Sequence, residues 1–215
     1  NSSNYTTEAE IFGNAIVYND SINNWQLVDG ANWEYPLGKF KSMALYNHPV
    51  TQVSWNDACA YCKFYDKNLP SEVQWEYAAS ERGQKKNQLF YWGNDLLINN
   101  RYMCNTWTSD YPNTIGIQDG FKYTSPIGHF EANSLGIFDM AGNVWEWCNN
   151  WHLPYEGNSQ IFPTDLLGRA QRGGSFLCNS KYCYGFRLSA RSATSPESSL
   201  FHVGFRCVKN ITNLR

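Results

Sequence analysis

The chain has 215 residues, a formal net charge of -2 and 17% charged residues, enough for one well-buried domain or at most two small ones. That balance gives neither a phosphate backbone nor an anionic membrane a reason to bind, and no apolar run approaches the length of a bilayer span. The start, NSSNYTTEAE, lacks the basic and apolar regions of a signal peptide, although one could have been removed earlier.

Aromatic load is the unusual feature: 9 Trp, 14 Tyr and 12 Phe. Each ring buries a large area, so a core can form without long helices or continuous aliphatic strands. With 16 Gly and 8 Pro spread along the chain, a compact, loop-rich α+β domain is expected. Seven cysteines leave at least one free thiol or an intermolecular bond. Sequons at Asn1, Asn4, Asn19 and Asn210 would permit glycosylation in a secretory compartment. The compartment stays open, with an oxidising one favoured over the cytoplasm.

In chain order, SWNDACAYCKFYDKN (54–68) predicts a helix capped by Ser54 or Asn56, with Ala58, Cys59 and Cys62 along one stripe. LPSEVQWEYAASERG (69–83) predicts a second, with the capping box Ser71–Gln74, Val73, Tyr77 and Ala78 at helical spacing, and Gly83 as a stop. Short strands and loops follow: LFYWGND, SPIGHF, GIFDMAGNVWEWCNNW, AQRGGSF, YGFRLSARS and HVGFRCV. No repeat and no credible linker interrupts them, so one domain over 1–215 is expected.

Three readings compete for Cys178 and Cys183 in RGGSFLCNSKYCYGFRLSARS: a staple, a zinc clip or a reactive pair. A tetrathiolate zinc site would need Cys59 and Cys62 as well, but those lie on a helix and C-x4-C is a loose spacing. A simple 178–183 disulfide does not exclude reactivity. Gly173-Gly174 would let the backbone approach a ligand closely, and Arg187 and Arg191 would favour thiolates if they turned inward. Two acidic loops, CNTWTSDYPNTIGIQDGF (104–121) and FDMAGNVWEWC (138–148), suit a hard cation or are held by Asx turns alone.

Taken together, HPVTQVSWNDACAYCKFYDKNLPSEVQWEYAAS, NSLGIFDMAGNVWEW and RGGSFLCNSKYCYGFRLSARSATSPESSLFHVGFRC resemble, in order and spacing, the formylglycine-generating enzymes, or sulfatase-modifying factors. GNVWEW and GGS…GFR recur across a wider superfamily, and the paired cysteines are the discriminating element. The resemblance implies a C-type-lectin-like fold and an oxidase that converts a cysteine of an unfolded sulfatase peptide to Cα-formylglycine with O2, acting as a monomer. It implies Cu(I) on Cys178 and Cys183, with Ser175 and Trp145 lining the site and Arg191, His202 and Asn179 on the substrate side. Two soft thiolates select Cu(I). It implies structural calcium on Asn105, Thr106, Asp119 and Phe121, and again on Asp139, Gly142, Val144 and Glu146. Thr106, Phe121, Gly142 and Val144 would contribute carbonyls.

The resemblance also pairs Cys62 with Cys207, and Cys104 with Cys148 would leave Cys59 as the odd thiol. A second family bridge would need cysteines where Ala79 and Leu188 stand. His202 replaces the usual Asn and Asn179 a frequent His. The family's N-terminal strands are expected to be missing ahead of YTTEAEIFGNAIVYND. The rival from another class is a lectin-like module that binds a peptide without chemistry. A sulfoxide synthase is disfavoured by the lack of a His-x3-His-x-Glu iron motif.

Overall fold

The computed structural model describes residues 4–110, 112, 116–154 and 168–209; the sequons at Asn1 and Asn210 lie outside them. Helix α1 (Glu8–Phe12) opens the described chain. Thr7 and Glu10 form its capping box, and Gly13 ends it in the left-handed region, at φ 74°. A helix this short shows no periodicity, so only its caps are legible in sequence. An antiparallel hairpin follows, β1 (Asn14–Asn19) against β2 (Asn24–Asp29), in register from Asn14↔Asp29 to Asn19↔Asn24. β1 buries Ala15, Val17 and Tyr18, whereas β2 is largely exposed.

Helix α2 (Trp55–Phe64) takes Ser54 as its cap in a box with Asp57 and buries Ala58 and Cys62. Helix α3 (Glu72–Ala79) has the expected Ser71–Gln74 box and ends at Ser80, ahead of Gly83. Its inward face is not the expected one. Val73 and Tyr77 are exposed, while Glu72, Trp75 and Ala79 are buried. The reason is electrostatic. Fully buried Arg172 donates to Glu72 at 3.1 Å and to the Leu188 carbonyl at 2.7 Å, and also pairs with Glu76. Arg191 grips Glu72 from the other side, its Nη2 at 2.8 Å. Burial raises the proton affinity of Glu72, but the Arg191 hydrogen bonds and the two guanidinium charges outweigh it and hold the carboxyl below its usual range.

A two-residue pair, β3 (Leu97–Ile98) with β4 (Arg101–Tyr102), stands apart from the main sheet. The main sheet contains β5 (Trp145–Trp151), β6 (Arg169–Arg172), β7 (Ser192–Thr194) and β8 (Val203–Gly204), in the order β7-β6-β5-β8. β5 is antiparallel to β6, with a register shift between Trp147 and Trp151, and parallel to β8. LFYWGND and SPIGHF form turns instead of strands, as does most of YGFRLSARS.

Two cores lie against this frame. One gathers Trp75, Phe90, Met140, Trp147, Phe186 and Cys178 under α2, α3 and the sheet. The other packs the β1–β2 hairpin on Trp107, Val144, Phe176 and Phe201. Ala79 and Leu188 are both buried in the first core, so apolar contact occupies the positions of the absent bridge. The segments 144–145 and 176–178 cross from one core to the other, and the cysteine pair lies on that seam. Among the described residues no helix is long and apolar enough to cross a membrane.

Candidate active site

Cys178 and Cys183 are both free thiols, with their Sγ atoms 3.0 Å apart. Cys178 is buried and tightly braced. Its N–H donates to the Ser175 carbonyl at 2.8 Å, and its carbonyl accepts from Trp107 N–H at 2.9 Å and from the Thr106 hydroxyl. Its sulfur lies 3.4 Å from the Ser175 N–H and 4.0 Å from Ser175 Oγ. Cys183 sits on the exposed turn that follows, where its N–H donates to the Asn179 carbonyl at 3.1 Å.

The two thiols are not equivalent. The contact with Cys178 pulls Cys183 down to about 7 against the opposing effect of burial, aided by the Gly185 N–H and the charge of Arg187. Cys178 is pushed up, first by the contact with Cys183 and then by burial.

Glycine makes room beside them, but not the expected glycines. A Cβ on Gly174 would strike the Phe186 backbone and one on Gly173 the Trp75 ring, so this pair serves packing. At Gly185 a Cβ would lie 2.6 Å from the Trp145 ring and 2.9 Å from each of the two sulfurs. The bare Cα of Gly185 thus lets Trp145 and both sulfurs pack against it. The only hint of this in the sequence is a glycine two residues after the second cysteine.

The remaining expected residues divide. Trp145 walls the pair, and its N–H donates to the His202 carbonyl at 2.9 Å. The His202 ring lies 5.0 Å from the Trp25 ring, its Nδ1 is buried without a partner, and burial pushes its pKa down to about 3. Trp145, His202 and Trp25 thus continue from the cysteine pair toward the hairpin. Asn179 and Arg191 are committed elsewhere. The Asn179 amide donates to the Trp107 and Ser109 carbonyls, both at 3.2 Å, and its Oδ1 accepts from Lys181 N–H. Arg191 holds Glu72 and the Leu153 carbonyl, so of the two arginines expected to turn inward only Arg187 acts on the thiolate.

The acidic loops differ in what they offer a cation. In the first, Asn105 Oδ1 is buried without a partner. The Asp119 carboxylate accepts backbone N–H groups from Thr106 at 2.8 Å and Phe121 at 3.1 Å, and burial raises its proton affinity. An orphaned oxygen beside a buried carboxylate fits a hard cation. The second loop turns at Gly142, φ 72°, and Asn143, φ 63°, where a Cβ on Gly142 would collide with the Asn105 carbonyl. Its carboxylates are already engaged. Glu146 receives Arg206 through Nε and, at 2.6 Å, Nη2, together with Trp75 Nε1 at 2.6 Å, and Asp139 accepts from Gly128 N–H. The donor set of Asp139, Gly142, Val144 and Glu146 fits a cation less well, because a guanidinium stands beside Glu146. Asn143 ties the loops together: its N–H donates to the Asn105 carbonyl, and its own carbonyl accepts from Phe176 N–H, both at 2.9 Å.

The other thiols do not assemble a zinc site. Cys62 meets Cys207 with the sulfurs 3.1 Å apart, and the 62/207 and 178/183 pairs stay separate. Among the described residues no three His, Cys, Asp or Glu side chains converge as metal ligands. Cys104 and Cys148 are free, buried thiols of the first core. A cleft of about 1180 Å³, lined by Tyr5, Asp57, Tyr61, Phe205 and Arg206 among others, does not include the 178/183 pair.

Comparison with known proteins gives the family and the fold. Residues 3–211 match the family described as "Sulfatase-modifying factor enzyme 1-like domain". The chain belongs to that family. It is 39% identical over 227 residues to the formylglycine-generating enzyme of Mus musculus, a match covering 96% of this chain and 60% of that protein. The chain therefore spans about three fifths of that relative's length. It is also 34% identical over 222 residues to "Inactive C-alpha-formylglycine-generating enzyme 2" of Bos taurus, covering 94% of this chain and 69% of the relative. PvdO from Pseudomonas aeruginosa shares the architecture, with a TM-score of 0.60, 25% identity and coverage of 78% of this chain and 63% of that one. The fold is thus the α+β, C-type-lectin-like fold of the formylglycine-generating enzymes.

Proposed function

We propose that this chain is the catalytic domain of a copper-dependent oxidase that converts a cysteine of a sulfatase polypeptide, in a CxPxR-type motif, to Cα-formylglycine with O2. The observation that carries this reading is the 3.0 Å contact between Cys178 and Cys183, packed with Trp145 against the bare Cα of Gly185. A short-range disulfide would constrain little of the unfolded chain, so stability is a poor reason for this pair.

Two sulfur donors at this spacing suit Cu(I), and Cys178 and Cys183 would hold it. Bound there, the metal would supply the electron transfer to O2 that thiols alone lack. The chain's own residues do the rest. Cys183 offers a thiolate near neutral pH without help from a base. The Ser175 N–H and hydroxyl stabilise charge on Cys178. Trp145 walls the pair and keeps water from the substrate sulfur. His202, neutral across the physiological range, lies between Trp145 and Trp25 with its unpartnered nitrogen buried. Arg191 and Asn179 support the site as scaffold groups. Asn105, Thr106, Asp119 and Phe121 would hold one structural calcium.

The cattle relative named inactive supports a second reading, in which the same pocket binds a peptide without chemistry. One experiment separates the two. The protein is incubated with a CxPxR-type peptide, Cu(I) and O2, and the product is examined for the mass loss of thiol-to-aldehyde conversion. Conversion sustains the oxidase; binding of the peptide without conversion replaces it with the binding module.

A further inference from the structure

Cys178 is held more firmly than packing requires. Its carbonyl is already satisfied by the Trp107 N–H at 2.9 Å, yet the Thr106 hydroxyl donates to the same oxygen. Thr106 is buried, and its own N–H is anchored on the Asp119 carboxylate at 2.8 Å. One residue further along, the Asn179 amide reaches back to the Trp107 and Ser109 carbonyls. The strip 106–109 therefore clamps the Cys178–Asn179 peptide from below, whereas Cys183 lies on an exposed turn, its N–H donating to the Asn179 carbonyl at 3.1 Å.

We infer that Thr106 is a positioning residue, whose hydroxyl fixes the Cys178 peptide so that the Cys178 sulfur is held against Cys183. A carbonyl oxygen has two lone pairs, and donors on both leave the peptide plane little freedom to rotate. With only Trp107 bound, the plane can tilt about that single bond and carry Sγ away from its partner. This role uses the side chain alone. The calcium role proposed for Thr106 uses its backbone carbonyl, so Thr106→Val, equal in shape, removes the hydroxyl and leaves that carbonyl in place.

The inference rests on the copper reading for one arm of its test only. In the first arm, metal-free protein is equilibrated in reduced and oxidised glutathione, and the disulfides are mapped by mass spectrometry. Closing the bond takes two electrons and two protons from Cys178 and Cys183 and converts one oxidised glutathione to two reduced. Thr106→Val should shift this equilibrium toward the dithiol about tenfold, as expected for one lost buried hydrogen bond, whereas Thr106→Ser should match wild type. The Cys62–Cys207 pair is the internal control and should not move. In the second arm, competition with a chromogenic chelator should show Cu(I) held about tenfold more weakly by Thr106→Val and normally by Thr106→Ser. Thr106→Ala takes the place of the valine variant if the latter does not fold. Wild-type values for the valine variant in the glutathione arm, or equal damage from serine and valine, would overturn the inference. Failure of wild-type protein to bind Cu(I) would overturn the copper reading and leave the glutathione arm to decide on Thr106.

Discussion

Two pairs of thiols in this molecule look alike at the level of single atoms. Cys178 and Cys183 meet at 3.0 Å, Cys62 and Cys207 at 3.1 Å. In each pair the contact pulls one thiol down to about 7 and pushes the other up. Their settings differ. The 62/207 pair ties α2 to the chain beyond β8, across 145 residues, whereas the 178/183 pair joins positions only five apart and packs with Trp145 against Gly185. A perturbed thiol therefore does not by itself mark a reactive centre. Loop length distinguishes a clasp from a candidate site.

The sharpest way to break the comparison is to remove one sulfur from each pair. Cys178→Ser and Cys183→Ser should each abolish peptide conversion and Cu(I) binding with the melting temperature nearly unchanged. Cys62→Ser should leave conversion intact and, in an oxidising buffer, lower stability by up to about 5 kcal/mol, the chain-entropy value for so long a loop. Loss of conversion in Cys62→Ser with full activity in Cys183→Ser would exchange the roles of the pairs.

Next in size is Glu146→Ala, which strands Arg206 and the Trp75 indole in the interior. Breaking one side of such a pair costs about 3–5 kcal/mol, read by denaturant unfolding. That loss should be the same with and without a chelator, because a guanidinium supplies the positive charge there. Asp119→Ala should instead cost more stability with calcium than with a chelator, above a calcium-independent loss from the Thr106 and Phe121 N–H groups it leaves unpaired, and identical melting of wild type with and without chelator would remove the first calcium site.

Ser175→Ala and Trp145→Ala should impair conversion while Cu(I) stays bound, as measured by chelator competition alongside peptide turnover. Loss of copper in either variant would move that residue from lining the site to holding the pair.

The smallest effect is the pH profile of alkylation in reduced, metal-free protein. Cys207 should react with iodoacetamide at a rate that rises to a plateau through about pH 7, against an ordinary thiol value of 9.0. Its depressed folded value also stabilises the fold above the unfolded value, and that contribution is lost as pH falls through about 7. Cys62, pushed up by the contact with Cys207 and by burial, should be labelled last. Equal rates for both would dissolve this difference.

Much of the framework was readable before any coordinates. Ser54 and Ser71 announce α2 and α3 because a capping box is a local device that needs only four residues. The meeting of Cys178 and Cys183 was legible because C-x4-C between Gly-Gly-Ser and Gly-Phe-Arg is a discriminating pattern. The face of α3 was not. Hydrophobic spacing points Val73 and Tyr77 inward, and only Arg172 and Arg191, about a hundred residues away, make Glu72 a buried residue. Arg191 looked available to substrate for the same reason.

The sequence by itself determined the helix caps, the aromatic content of the cores, the two acidic loops and the five-residue separation of the active thiols. These depend on residues close in the chain, or on composition. Only the tertiary structure decided that Gly185, and not Gly173-Gly174, packs against the sulfurs, that Arg206 occupies the second acidic loop, and that the Thr106 hydroxyl braces Cys178. Each of those depends on groups that meet across the two cores. Which atom is crowded, which charge is paired and which carbonyl is held are properties of contact, and contact between distant segments is settled only when the chain has folded.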